Sequence, residues 1–286
     1  MVAVAAAVLL GACGSSSKTS TPPTTIKVKT RPQVTITARD YRFGLPAQIP
    51  AGWVDVTLHN VGEQGHQVAF VKLNSLTFAE FQAAADATDL TKLQDAVFVG
   101  GPNNVDPGAS VTATVHLAAG NYAVVCLIPG ADNKPHAAHG MIAPVTVAQT
   151  ADSDEDTPKA DAGKITVTEF TFTPDSSFTG RGTVEIDNIG NQVHEVIIEK
   201  MASGTTFAEA KRYILIPPGA PGVATPPGPP PLTSAGGIVG LGPKQTMYQT
   251  LTLAPGHYLL ACFFPDPTKG NAPHALEGML KEITVS

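Results

Sequence analysis

The sequence predicts an all-β protein made of two similar halves, each with one short helix. Three observations predict it. Glycine (27) and proline (25) are abundant while charged residues are only 15% of the 286, a composition suited to short strands and many turns. Apolar and polar residues alternate with period two along both halves, and helix-type apolar spacing is scarce. One set of residues also returns in the same order. The first half holds Asn60-Val61-Gly62-Glu63-Gln64-Gly65-His66, then Cys126, then Pro135-His136-Ala137-Ala138-His139-Gly140-Met141. The second holds Asn188-Ile189-Gly190-Asn191-Gln192-Val193-His194, then Cys262, then Pro273-His274-Ala275-Leu276-Glu277-Gly278-Met279.

Taken in chain order, residues 2–10 form an apolar run ending in Leu10-Gly11-Ala12-Cys13. No Lys or Arg precedes the run, yet the small-residue pair before Cys resembles the processing site of bacterial lipoproteins. The resemblance implies a signal peptide over 1–12, a lipid on the Cys13 sulfur and a flexible polar tether over 13–25. The chain is then expected outside the cytoplasm, anchored to the bacterial cell membrane. The first half spans 26–148, with strands expected at Val54-x-Val56-x-Leu58, Val111 to Leu117 and Val145-x-Val147. Thr77-Phe78-Ala79-Glu80 reads as a capping box, which predicts a helix over 78–85, with further turns near 90–96. Residues 149–163 carry five acids and almost no apolar side chain, which predicts a solvated linker.

The second half spans 164–286 and repeats this plan. Strands are expected at Ile165-x-Val167, Val184-x-Ile186, Leu251-x-Leu253 and Ile283-x-Val285, and Thr206-Phe207-Ala208-Glu209 is a second capping box. The offset between matched residues grows from 128 at His66 and His194 to 138 at Met141 and Met279, so the second half carries small insertions. One of these is the Pro/Gly-rich stretch 217–242, expected to be an extended, exposed loop.

Several function classes lose support at once. A net charge of −6 without a basic cluster gives nucleic acid no electrostatic footprint. No run of 18 or more apolar residues offers a spanning helix. The two cysteines beyond Cys13 occupy equivalent positions in the two halves, so they are expected as independent buried thiols, not as a disulfide.

Two His, one Cys and one Met are the donors of a trigonal copper site with a weak axial thioether. Soft thiolate holds copper in both oxidation states, and two copies of the set predict two copper ions. A structural zinc site would call for more Cys or His and has little use for Met. A dinuclear copper centre would need two Cys per site. Strand alternation places Tyr122, Val124 and Cys126 on one face, and Tyr258, Leu260 and Cys262 likewise, with each thiol at the inner end of a core strand.

With its upstream Asn-x-Gly…His turn, its Cys at a strand end and its His-x₄-Met, each half resembles a cupredoxin, the plastocyanin and azurin type of blue copper protein. The resemblance implies a Greek-key β-sandwich in each half. It implies copper held by His66, Cys126, His136 and Met141, and a second copper by His194, Cys262, His274 and Met279. His139 competes with His136 on spacing, but its counterpart in the second half is Glu277, so His136 is the expected ligand. The chain departs from the family's small carriers at Gln67 and Glu195, where Asn is usual. It departs again at Leu127 and Phe263, where Ser or Thr is usual, and in longer Cys-to-His loops of nine and eleven residues.

The leading expectation is an extracytoplasmic electron-transfer protein with two type 1-like sites, meeting an unidentified redox protein transiently. The second His of each site would be its port, framed by Ala137 and Ala138 or by Ala275 and Leu276. Val125 and Ala261 stand before the cysteines and no His-x-His pair occurs, so the sequence predicts no enzyme. The alternatives are a copper carrier or buffer without redox turnover, and a purely structural cupredoxin-like protein.

Overall fold

A computed structural model describes residues 31–86, 95–216 and 229–286. The expected signal peptide, the Cys13 lipid site and the tether over 13–25 lie outside these residues. So do 217–228 of the Pro/Gly-rich stretch and most of the turns expected near 90–96.

Alternation sets the strands. The first half contains β1 (Gln33–Arg39), β2 (Arg42–Gly44), β3 (Ile49–Pro50), β4 (Gly52–Asn60), β5 (Ala69–Lys72), α1 (Phe78–Asp86), β6 (Val97–Gly100), β7 (Ser110–Leu117), β8 (Gly120–Val125) and β9 (Ile142–Ala148). The second contains β10 (Lys164–Thr168), β11 (Thr171–Pro174), β12 (Arg181–Asn188), β13 (His194–Met201), α2 (Phe207–Leu215), β14 (Leu232–Leu241), β15 (Thr246–Thr252), β16 (Gly256–Ala261), β17 (Pro265–Asp266), β18 (Ala272–Pro273) and β19 (Leu280–Val285). Val54, Val56 and Leu58 turn inward from β4, as Val184 and Ile186 do from β12. Both capping boxes form: the Thr77 amide donates to Glu80 and the Glu80 amide to the Thr77 hydroxyl, with the same exchange between Thr206 and Glu209.

Each half is a sandwich of two sheets, and both sheets run on through the other half. One has the order β11-β10-β12-β15-β7-β4-β1-β2 and the other β19-β16-β13-β14-β6-β5-β8-β9-β3. Each order reads as a half followed by its mirror, with β3 added at the end of the second, joined at β15–β7 (Tyr248 opposite Thr114) and at β14–β6 (Leu241 opposite Val99). Strands that would be exposed edges in an isolated half therefore pair with each other. A continuous core runs from Ile36, Val56 and Phe70 in the first half to Ile186, Ile198 and Leu260 in the second, and Arg31–Ser286 form one compact unit.

Two segments differ from expectation. The Pro/Gly-rich stretch is not a loop throughout: Leu232–Leu241 is a ten-residue strand, buried over most of its length. Its glycines permit this. Gly237, at φ 134°, lies so close to Val196 that a Cβ would stand 2.1 Å from that carbonyl oxygen, and Gly101 meets the Val68 carbonyl in the same way at 1.8 Å. These two glycines sit where the halves join, with the Asn103 amide donating to the Gly237 carbonyl and the Val239 amide to the Gly101 carbonyl. The acidic segment is also not simply solvated. Ser153 and Asp154 are buried, because the Asp154 carbonyl accepts the Trp53 amide across Gly52.

Since each of these glycines combines a positive φ with a backbone approach that no Cβ fits, Gly237→Ala is expected to cost about 2 kcal/mol or more. Urea unfolding of the variant checks it. A midpoint equal to the parent's would contradict the packing described for the junction.

Candidate copper sites

In the first half, the Asn60 side chain builds the turn that presents His66. Its Nδ2 donates to the Gln64 and Val105 carbonyls, both at 2.7 Å, and its Oδ1 accepts from the Gly62 amide at 2.9 Å. Asn188 repeats the three bonds with Gln192, Leu241 and Gly190 at 2.8, 2.8 and 2.9 Å. His66 is further fixed by reciprocal backbone bonds with Val105. This is the physical content of the Asn-x-Gly…His pattern.

The other residues come from the segment after β8. Cys126 follows the strand on the same inward face as Tyr122 and Val124. A 3₁₀ turn over His136–His139 ends at Gly140, whose left-handed conformation (φ 97°) reverses the chain. The Met141 amide then donates to the His136 carbonyl at 3.0 Å and the Cys126 amide to the Met141 carbonyl at 3.1 Å. Cys, His and Met are thus tied through backbone alone. Cys262, His274, Gly278 (φ 100°) and Met279 repeat the arrangement, with bonds of 3.0 and 3.3 Å.

The donor atoms converge. His66 Nδ1 and His136 Nδ1 are 3.2 Å apart, and Cys126 Sγ lies 3.5 Å from His136 Nδ1 and 4.0 Å from His66 Nδ1. In the second half the corresponding distances are 3.1, 3.4 and 4.0 Å. All six residues are buried, and Met141 and Met279 are fully buried beside them. Atoms bound roughly 2.0–2.3 Å from one ion lie about 3–4 Å from each other, so the spacing suits a single metal. Cys126 and Cys262 are free thiols, as expected.

The electrostatics point the same way. Burial pushes the Cys126 thiol up to about 11, and burial, with the Glu195 carboxyl adding to it, pushes Cys262 up as well. Burial and the neighbouring His274 bring His194 down to about 4, and burial lowers His136 and His274. His136, His194 and His274 are therefore held toward the neutral form, the one that binds metal. A cation that holds the thiolate would offset the burial of a sulfur whose other polar partners are backbone amides.

His139 stands apart from this cluster. It is exposed and its Nε2 lies 3.0 Å from Asp132, while His136 faces the thiol. The expected ports differ from the structure in one respect. His136 and His274 are fully buried, as are Ala137 and Ala275, and of the four framing residues only Ala138 and Leu276 are exposed.

What covers these histidines is a pair of residues that the sequence reading passed over. Tyr41 packs edge-on against His136 with ring centroids 5.2 Å apart, and Phe170 does the same to His274 at 5.3 Å. Both aromatics hold a left-handed backbone (φ 63° and 62°), a conformation bulky residues adopt at a cost of about 1 kcal/mol. The preceding acids face the other histidine: Asp40 Oδ1 is 2.9 Å from His66 Nε2, and Glu169 Oε1 is 3.9 Å from His194 Nε2. Desolvation raises Asp40, but His66 and the Glu63 and Gln64 amides outweigh it and hold the carboxyl below its usual range. At hydrogen-bond distance, as Asp40 is, a carboxylate on the far nitrogen of a metal-binding His fixes its ring and tautomer; His194 Nε2 has no such bond. Gly62 and Gly190 leave the room, since a Cβ would stand 2.4 Å from Asp40 Oδ1 or 2.7 Å from Glu169 Oε1. The signal was present as Asp40-Tyr41 and Glu169-Phe170, two acid–aromatic pairs at an offset of 129.

No protein-family model and no curated protein matches the chain. Solved structures do. Auracyanin from Roseiflexus castenholzii is 20% identical, over 41% of this chain and 96% of its own, with a TM-score of 0.30. A copper-containing nitrite reductase from Thermus scotoductus is 12% identical, over 90% of this chain and 62% of its own, with a TM-score of 0.25. A multicopper oxidase is 13% identical, over 89% of this chain and 88% of its own, with a TM-score of 0.26. The nitrite reductase and the oxidase, each matching along most of the chain, are enzymes, and they overturn the expectation that this chain is not one. The missing His beside Cys126 and Cys262 is no ground for that exclusion. At these identities and TM-scores the matches assign no activity, substrate or partner here.

One consequence concerns the metal-free protein. The folded thiol of Cys126 titrates near 11 against an ordinary value of 9.0, so its contribution is fully present below pH 9 and is lost as pH rises toward 11. Thermal melts between pH 8 and 10.5 are expected to fall with pH, less steeply in Cys126→Ala. An equal slope in parent and variant would contradict the burial of the thiol. Topology and donor set, taken together, give a chain of two cupredoxin-like halves, each with a His-Cys-His group suited to copper.

Proposed function

We propose that the chain is an extracytoplasmic electron-transfer protein with two type 1-like copper sites, tethered to the bacterial membrane through a lipid on Cys13. One observation carries the redox part: two buried Nδ1–Nδ1–Sγ triangles, alike to 0.1 Å, are already assembled from protein contacts alone. Copper bound there would exchange one electron between its Cu(I) and Cu(II) states. His66, Cys126, His136 and Met141 would hold one ion, and His194, Cys262, His274 and Met279 the other. The side chains that position them are themselves fixed, by Asn60 and Asn188 in the turns and by Tyr41 and Phe170 over the second histidines. A cage that does not rearrange favours electron exchange over metal hand-off, because little reorganisation accompanies a change of oxidation state.

The protein partner would be met weakly and transiently, as redox partners are. The exposed side chain of Leu276, at 62% exposure, lies next to His274 and its neighbour and suits a small apolar contact of that kind. Membrane attachment rests on the Leu10-Gly11-Ala12-Cys13 motif and the polar stretch after it.

Copper titration of the full chain followed by visible absorption tests the proposal. Two coppers per chain with an intense thiolate-to-copper band are expected, halved by Cys126→Ala and by Cys262→Ala. Tight Cu(I) binding without a band would favour a copper carrier. No binding would leave a structural β-sandwich pair.

A further inference from the structure

The two sites differ at one buried position. Gln67 follows His66, whereas Glu195 follows His194, and both are buried. Glu195 makes three contacts around the second site. Its amide donates to Cys262 Sγ at 3.4 Å, its Oε1 accepts from the Phe263 amide at 2.7 Å, and its Oε2 accepts from Asn103 Nδ2 at 3.3 Å. The first two contacts bracket the thiol and the first residue of the loop that carries His274 and Met279. The third crosses to the other half of the molecule.

Asn103 is well placed for this. It is 1% exposed, its amide donates to the Gly237 carbonyl at 3.1 Å, and its Nδ2 also donates to the Ile238 carbonyl at 3.2 Å. Its mate across the pseudo-twofold is Val239, whose amide donates to the Gly101 carbonyl at 3.0 Å. Val239 has no side-chain donor and packs in an apolar cluster with Val71, Ala123 and Val125. The second half therefore receives a polar side chain from the first at its site and returns an apolar one. The tie runs one way.

We propose that Asn103 is a positioning residue for the second copper site, acting through Glu195 on the Cys262 loop, so that this site is complete only while the two halves are joined. The inference rests on the copper reading for its purpose but on the contacts alone for its mechanism. Removing the donor leaves a buried carboxyl oxygen without a partner, a loss that falls on Glu195 and the Phe263 amide it holds. In the first half the Gln67 amide bonds Cys126 in the same way, but Val239, the counterpart of Asn103, has no side-chain donor to offer Gln67. Linkage then runs both ways, since whatever orders the second site also favours the joined halves.

Alkylation of the metal-free full chain, read thiol by thiol from peptide masses, provides the test. Asn103→Leu, and the smaller Asn103→Ala in case Leu does not fit, are expected to speed labelling of Cys262 about tenfold and leave Cys126 unchanged. Val239→Ala, which loosens the junction from the other side, is expected to show no preference for Cys262. After copper loading, Asn103→Leu should shift the absorption band in a Cys126→Ala background and not in a Cys262→Ala background. Equal acceleration of both thiols, acceleration of neither, or the same Cys262 preference in Val239→Ala would overturn the proposal. If neither background binds copper, the copper reading falls while the labelling rates still decide the positioning role.

Discussion

Everything in this molecule turns on holding a thiol and two imidazole nitrogens within about 4 Å of one another, away from water. Such a cluster is costly to bury. Left to itself it would recruit solvent or collapse onto a nearby donor. The chain prevents this with backbone, not with side-chain flexibility. Cys126 and Met141 exchange a ladder-like bond, Met141 bonds back to His136, and a left-handed Gly140 makes the return possible. His66 arrives from a separate turn that Asn60 cross-links at three points. The site is thereby tied to two strands of one sheet and inherits their rigidity.

The same requirement explains the unusual backbone around it. Tyr41 and Phe170 accept a left-handed conformation and in return cover His136 and His274, while Asp40 bonds the far nitrogen of His66 and Glu169 lies 3.9 Å from that of His194. Because both hairpin turns supply an acid and an aromatic in succession, one short element serves both histidines of a site. The junction of the halves is built on similar terms. Gly101 and Gly237 allow strands to approach where any Cβ would collide, and both sheets continue without an exposed central edge.

Much of this was legible in the sequence, for identifiable reasons. Strands such as β4 and β7 alternate cleanly because one face is core and the other is not. The helices announce themselves through Thr77–Glu80 and Thr206–Glu209, whose reciprocal bonds depend only on local spacing. The eight expected site residues stood out because they recur in register, and the structure buries all of them, with both His-Cys-His triangles formed. What escaped was non-local. The pairing of β14 with β6 depends on a neighbour some 140 residues away, so a run of Gly and small residues read as loop. The burial of Ser153 and Asp154 depends on Trp53 and Gly52 and leaves no local pattern. Tyr41 and Phe170 look like ordinary strand-end aromatics until the fold brings them over the histidines. The enzyme question was closed too early, from the absence of one His beside each cysteine.

Copper K-edge X-ray absorption on the loaded full chain tests the central claim most directly. The account predicts two nitrogen ligands and one short sulfur ligand per copper, with the short-sulfur contribution per chain halved when either Cys126 or Cys262 is replaced and lost when both are. A shell of nitrogen and oxygen only, unchanged by either replacement, would contradict it and place the metal outside the buried triangles.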